Sequence, residues 1–251
     1  MHVLAGVRHG GGEQHLFVLE GGQRRELHAP DTSLSIVALA PDGAPVVANA
    51  FAGIWFRRGA GWSEVHEIDP SRIDIRQERP QALAVDSRGI VWVLGQRSLF
   101  RGDRGTYRRE DLPERGNADL TAVAVGGGVT AVAAGPHVFI RRSRWERFAC
   151  PVARLAVGGD GVVVTAFHER AAVVAEDADP VPLDIAGLVV ATGVARDARG
   201  RTWVAGTDGL VVFGSDNAVL RRWSRGRVPG LPSTGTIDGL LVTGRGPELP
   251  E

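Results

Sequence analysis

Asp197-Ala-Arg-Gly200-Arg-Thr-Trp203-Val-Ala-Gly206-Thr-Asp-Gly209-Leu-Val-Val-Phe213 sets Asp, Gly, Trp and Gly at intervals of three. Asp86-Ser-Arg-Gly89-Ile-Val-Trp92-Val-Leu-Gly95, followed by Ser98-Leu-Phe100, repeats those marks. A helix also brings residues three apart onto one side, but glycine at every second mark weakens it by about 1 kcal/mol each. Hairpin turns, by contrast, need glycine where φ is positive. The runs between the marks are rich in Val and Trp, the composition of strands. Both stretches therefore read as strand, turn, strand.

Outward from these copies the chain repeats one order: an apolar strand, a Gly or Asp turn, a valine-rich strand, a second turn, an aromatic strand and a polar outer strand. Weaker first turns are Asp42-Gly43, Gly126 to Gly128 and Gly158 to Gly161. Third-strand anchors fall at Phe17, Phe56, Phe100, Phe139, Val174 and Phe213, in steps of 39, 44, 39, 35 and 39 residues, within the range of repeat architectures. The first unit has no inner strand of its own, because Met1 to Val7 matches the second strand of the others. Its counterpart lies at the other end, where Ile237 to Gly246 matches the inner strand and turn of Gly193 to Gly200. The expectation is an all-β, six-bladed β-propeller with four-stranded blades, the first closed by the N- and C-terminal strands together. The blades would cover 237–251 with 1–28, 34–69, 81–113, 119–150, 153–185 and 188–230, in one domain over 1–251. Such a ring leaves few exposed sheet edges.

These marks resemble the propeller repeat found in the sensor regions of some bacterial two-component regulators, which runs Asp-x-x-Gly-x-x-Trp-x-Gly-Thr-x-x-Gly-Leu with a later aromatic. The sixth unit matches throughout, and the third lacks the Thr-x-x-Gly part. The others keep the strand order and the turn glycines. The resemblance implies a bacterial β-propeller. It transfers no ligand, because the repeat is structural and related blades serve receptors, scaffolds and a few lyases.

Composition narrows the function classes. The 251 residues carry 29 acidic and 29 basic side chains, so no global field draws the chain to nucleic acid or to an anionic membrane. A single cysteine, Cys150, excludes an internal disulfide framework and a cysteine-built zinc site, and points to a reducing, cytoplasmic setting. Met1 to Gly12 lacks the apolar stretch of an export signal. Leu120 to Ile140 is free of Asp, Glu and Arg, but Gly126 to Gly128 and Pro136 break it into strand-length runs, so no membrane span is expected. Gly10 to Gly12 precede no helix, Ser233 lacks a nucleophile elbow, and no His-Glu-x-x-His occurs.

Two sets of side chains remain as candidates. Every basic residue is arginine, and many fall at the hairpins between third and fourth strands: Arg57, Arg58, Arg108, Arg109, Arg141, Arg142, Arg144, Arg221 and Arg222, with Trp145 among them. Arginine pairs bidentately with carboxylate or phosphate and stacks on aromatic rings, so this side of the blades fits an acidic protein partner. Solvated edge strands that carry charge against edge pairing account for the same residues without a partner. On the opposite side, His9, His137, His168 and Asp208 fall near second-to-third turns, where they offer an alternative ligand or metal set. The residues thus point first to a non-catalytic interaction scaffold or sensor module with no cofactor and no nucleic acid. The alternative is a small-molecule-binding propeller, or a metal-assisted lyase or lactonase acting at the channel mouth.

Overall fold

The computed structural model describes residues 2–8, 14–20, 23–27, 34–40, 44–49, 54–59, 61–64, 80–103, 106–150, 152–176, 178–224 and 227. Among them every regular element is a β-strand. The strands β1 (His2–Arg8), β2 (Gln14–Glu20) and β3 (Gln23–Leu27) form a three-stranded sheet in that order. Next come β4 (Leu34–Leu39), β5 (Pro45–Asn49), β6 (Ile54–Arg58) and β7 (Gly61–Glu64). The third sheet holds β8 (Ala82–Val85), β9 (Val91–Leu94), β10 (Leu99–Asp103) and β11 (Thr106–Glu110). Then follow β12 (Leu120–Gly126), β13 (Val129–Ala134), β14 (His137–Arg141) and β15 (Trp145–Ala149). The fifth sheet contains β16 (Arg154–Val157), β17 (Val163–Phe167), β18 (Arg170–Val174) and β19 (Val181–Leu183). The last is β20 (Ala191–Arg196), β21 (Thr202–Gly206), β22 (Gly209–Phe213) and β23 (Val219–Ser224).

The last five of these sheets are each four strands in sequence order, an up-and-down meander that short hairpin turns dictate. The anchors Phe56, Phe100, Phe139, Val174 and Phe213 all lie in third strands, whereas Phe17 lies in the middle strand of the three-stranded sheet. The segment expected to complete that sheet, within 237–251, lies outside the described residues, as does the turn Asp42-Gly43. Two compact units divide the chain, one within residues 2–124 and one within 125–251. In the first, Val46, Phe56, Val93, Phe100 and Tyr107 bury together between the second and third sheets. In the second, Val164, Val173, Leu183, Val204, Val211 and Phe213 do the same between the fifth and sixth. Each fully buried Phe or Val contributes about 1.5–3 kcal/mol, so face-to-face packing of neighbouring sheets is what holds either unit together. No helix among the described residues is long and apolar enough to cross a membrane.

Turns between first and second strands explain the repeating marks. Asp86 Oδ1 accepts the backbone N–H groups of Arg88 (2.8 Å) and Ile90 (3.0 Å). Asp197 Oδ1 does the same for Arg199 (2.9 Å) and Arg201 (3.0 Å). Gly89 and Gly200 close these turns at φ +80° and +73°, a left-handed conformation that a Cβ makes costly. The fifth unit reaches the same end differently. Its aspartate stands two places later, at Asp160, whose Oδ1 accepts the N–H of Val162 at 3.2 Å. That carboxylate and the Arg196 side chain together occupy the space a Cβ would need at Gly158.

Candidate docking surface

The hairpins between third and fourth strands carry the arginines, and the pairing register determines what each one meets. Arg57 and Trp62 are direct partners across β6 and β7, and the Arg57 guanidinium lies 5.6 Å from the centre of the Trp62 ring. Its Nε also donates to the carbonyl of Gly59 at 3.2 Å. Arg58 stands opposite Gly61 in the same hairpin; its side chain lies outside the described residues. Across β14 and β15, Arg141 partners Trp145, with 5.9 Å from guanidinium to ring centre. Stacking of this kind contributes about 0.5–1 kcal/mol at exposed sites. More to the point, it fixes where the cation stands.

In the β10–β11 hairpin two cations face each other, Arg101 opposite Arg108. Like charges so placed repel, and Arg101 has other partners to hand. Its guanidinium lies 5.5 Å from the centre of the Trp92 ring, and its Nη1 is 3.5 Å from Glu110 Oε1. Arg108 and Arg109 are exposed, and Arg109 Nε lies 3.6 Å from Asp111 Oδ1. Arg144, with 83% of its side chain exposed, holds Glu146 at 3.5 Å. Exposed pairs of these lengths are worth about 0–1 kcal/mol, so a carboxylate from another molecule can replace the local acid at little cost. Arg142 differs: its Nη2 is buried and has no hydrogen-bond partner among the described residues.

In β23, Arg221 stands opposite Val212 and Arg222 opposite Val211. Arg222 Nη2 donates to the carbonyl of Asp184 at 3.2 Å and lies 3.7 Å from its Oδ2. Arg222 is therefore occupied in bracing the segment before β20. The named candidates thus divide. Arg108, Arg109 and Arg144 present charge to solvent, Arg57 and Arg141 are set upon tryptophans, and Arg222 is tied to the protein's own backbone.

Buried arginines that the sequence did not single out do other work. Arg196, with 5% of its side chain exposed, places Nη2 2.8 Å from Asp160 Oδ2 and donates through Nη1 to Thr202 Oγ1 at 2.8 Å. It joins the turn of the fifth sheet to the second strand of the sixth. Arg201 Nε lies 2.7 Å from Asp197 Oδ2, which also accepts the Trp203 indole N–H at 3.0 Å. The available signal was position alone: Arg196 immediately precedes the turn aspartate.

The alternative set is spread over separate loops and strands. His9 lies outside the described residues. His137 opens β14, its ring centre 6.4 Å from that of Phe139 two residues along the same strand. His168 occupies the two-residue loop between β17 and β18 at φ +49°. Its ring stands edge-on to Phe167 at 4.3 Å, and its carbonyl accepts the N–H of Ala191 at 2.8 Å. Asp208 Oδ1 accepts the N–H of Val189 at 3.0 Å, which commits one of its oxygens to the backbone. Among the described residues no three His, Cys, Asp or Glu side chains gather as ligands for a metal ion. Cys150 Sγ rests 3.3 Å from Thr165 Oγ1.

No protein-family model and no curated protein matches the sequence. Solved structures do. The chain is similar to a catalytically inactive histidine-to-alanine variant of virginiamycin B lyase from Staphylococcus aureus with quinupristin. That match has 12% identity, covers 89% of this chain and 88% of that one, and has a TM-score of 0.66. It is also similar to YCF48 bound to D1 peptide, with 11% identity, 78% and 70% of the two chains covered, and a TM-score of 0.56. A third similar structure is U3-55K, at 12% identity over 84% and 70% of the chains, with a TM-score of 0.64. All three are β-propellers, and likeness at this level of identity shows that fold for the present chain. The set includes both a lyase and proteins without that activity in their names, so fold alone selects no chemistry.

Proposed function

We propose that this chain is a non-catalytic β-propeller that serves as a protein-interaction module, docking an acidic partner through the arginines of its third-to-fourth hairpins. The reading includes a ring of six blades in one domain over 1–251, closed by a strand from 237–251 beside 1–28, and a cytoplasmic setting. One observation carries the docking proposal. Guanidinium groups at these hairpins are pre-positioned on tryptophans, or left exposed with only surface acids beside them. Such groups lose little rotational freedom on binding and give up little when they exchange partners. The solved complex of YCF48 with D1 peptide supplies a precedent for peptide binding by a propeller.

The test reverses charge at Arg141, Arg142 and Arg144 to glutamate. The variant should keep the wild-type circular dichroism spectrum and lose the partner that the wild-type protein recovers from its native cells. Wild-type recovery should also weaken as salt is raised. Undiminished recovery by the variant would exclude this surface. A second reading, a ligand-binding or lyase propeller, is favoured by His168, which takes a left-handed conformation beside the exposed ring of Phe167. Incubation with quinupristin, followed by mass spectrometry, should return the compound intact. A product lost on His168→Ala would establish the second reading instead.

A further inference from the structure

Arg141, Arg142, Arg144 and Arg147 lie within seven residues of the β14–β15 hairpin, against the single carboxylate of Glu146. Three features meet in this hairpin, and the third has no counterpart among the other hairpin arginines described above. Arg141 is held over Trp145. Arg144 extends into solvent, with only a 3.5 Å contact to Glu146. Arg142 keeps a buried Nη2 that bonds to nothing among the described residues. A buried, charged donor without an acceptor is a standing penalty, and native proteins relieve such groups with water, an ion or a ligand. The side chain is only half-buried, and its chain neighbours Ser143 and Arg144 are exposed, so an anion at the hairpin surface can draw its donors outward. An anion bound there restores the missing hydrogen bond as well as gaining charge.

From this we infer that the hairpin is a recognition site for a phosphorylated side chain of the partner. The inference rests on the acidic-partner reading above and names the acid. One carboxylate offers two oxygens and one charge. A phosphoryl group offers three acceptor oxygens and close to two charges at neutral pH, which matches several forked guanidinium groups far better. The exposed hydroxyl of Ser143, between Arg142 and Arg144, adds another donor.

Three peptides with one Gly, Ser and Ala framework test it, carrying a central phosphoserine, serine or glutamate. Binding to the full chain is followed by NMR of the arginine Nε–H groups and by calorimetry. The phosphoserine peptide should bind at least tenfold more tightly than the glutamate peptide, with shifts confined to Arg141 to Arg147, and the serine peptide should not bind. Affinity should fall several-fold between pH 7 and pH 5, because the phosphoryl group takes up its second proton near pH 6. Arg142→Met should lower the affinity at least tenfold. Arg144→Met, on an exposed side chain, does the same without touching the interior, so misfolding of one variant leaves the test intact. Arg170→Met, at the exposed start of β18, should change nothing.

Equal binding of the glutamate peptide with the same dependence on these arginines would overturn the phosphoryl assignment and leave acidic docking standing. Inorganic phosphate bound as tightly as the phosphopeptide would overturn the assignment to a side chain of a partner. Absence of binding by all three peptides, together with normal partner recovery by the charge-reversed variant, would remove both readings.

Discussion

The turns between β8 and β9 and between β20 and β21 have one backbone and two different interiors. In both, a glycine with positive φ closes the turn and an aspartate accepts two backbone N–H groups. In both, an arginine covers the tryptophan that follows, at 5.5 Å over Trp92 and 5.2 Å over Trp203. The arginines come from different places. Trp203 is covered by Arg201, two residues earlier and just before its strand, and Val212 stands across from it. Trp92 has Ile90 at the earlier position and takes Arg101 from across the sheet. The cation is therefore the retained element, and the strand that supplies it is free to change. What changes with it is the aspartate. Asp197, with no exposed side-chain surface, is paired with a buried arginine, whereas Asp86 lies 3.3 Å from Arg88, whose side chain is 69% exposed.

That contrast can be broken by mutation. Asp197→Ala leaves Arg201 charged in a site where 9% of its side chain is exposed. The expected loss is about 3–5 kcal/mol in urea unfolding, because an ion stranded by removal of its partner keeps its desolvation penalty. Asp86→Ala strands no buried ion and should lose about 1 kcal/mol. Similar losses at the two positions would show that the turn geometry, and not the buried pair, sets the cost.

The two arginines give a second comparison. Arg201→Leu should cost about 3 kcal/mol or more, and Arg101→Leu, at a side chain 31% exposed, about 0.5–1.5 kcal/mol. Combining Arg201→Leu with Asp197→Asn should recover a coupling of about 1–3 kcal/mol. Additive losses would mean that Asp197 and Arg201 do not act as a pair. The smallest difference belongs to the turn glycines. Gly89→Ala and Gly200→Ala should each cost about 1–2 kcal/mol, since a Cβ at 89 meets nothing within 4 Å and one at 200 meets only ordinary contacts from 3.4 Å outward. A much larger loss at Gly200 would place the constraint in packing and not in φ.

Much of the strand order was legible because it depends on local chemistry. Phe56, Phe100, Phe139 and Phe213 sit in third strands, since apolar runs bounded by Gly and Asp turns admit few other arrangements. The functional surface was legible only as a set of arginines. Sequence spacing shows that Arg57 and Arg141 are near tryptophans, but not that each is the register partner of one. It is silent on Arg222, whose acceptor at Asp184 lies 38 residues away, and on Arg196, which meets Asp160 across 36 residues. Such pairs form only after separate sheets have packed, so no local pattern announces them.

From the order of residues alone follow the all-β character, the positions of the first-to-second turns among the described residues and the fact that every Lys or Arg position is an arginine, because turn chemistry and two-residue alternation act within a few residues. Which of those cations is buried against a carboxylate, which is laid over an indole and which is left to face water was decided by the packing of sheets. Charge is a property of the residue, but the energy of a charge is a property of its surroundings.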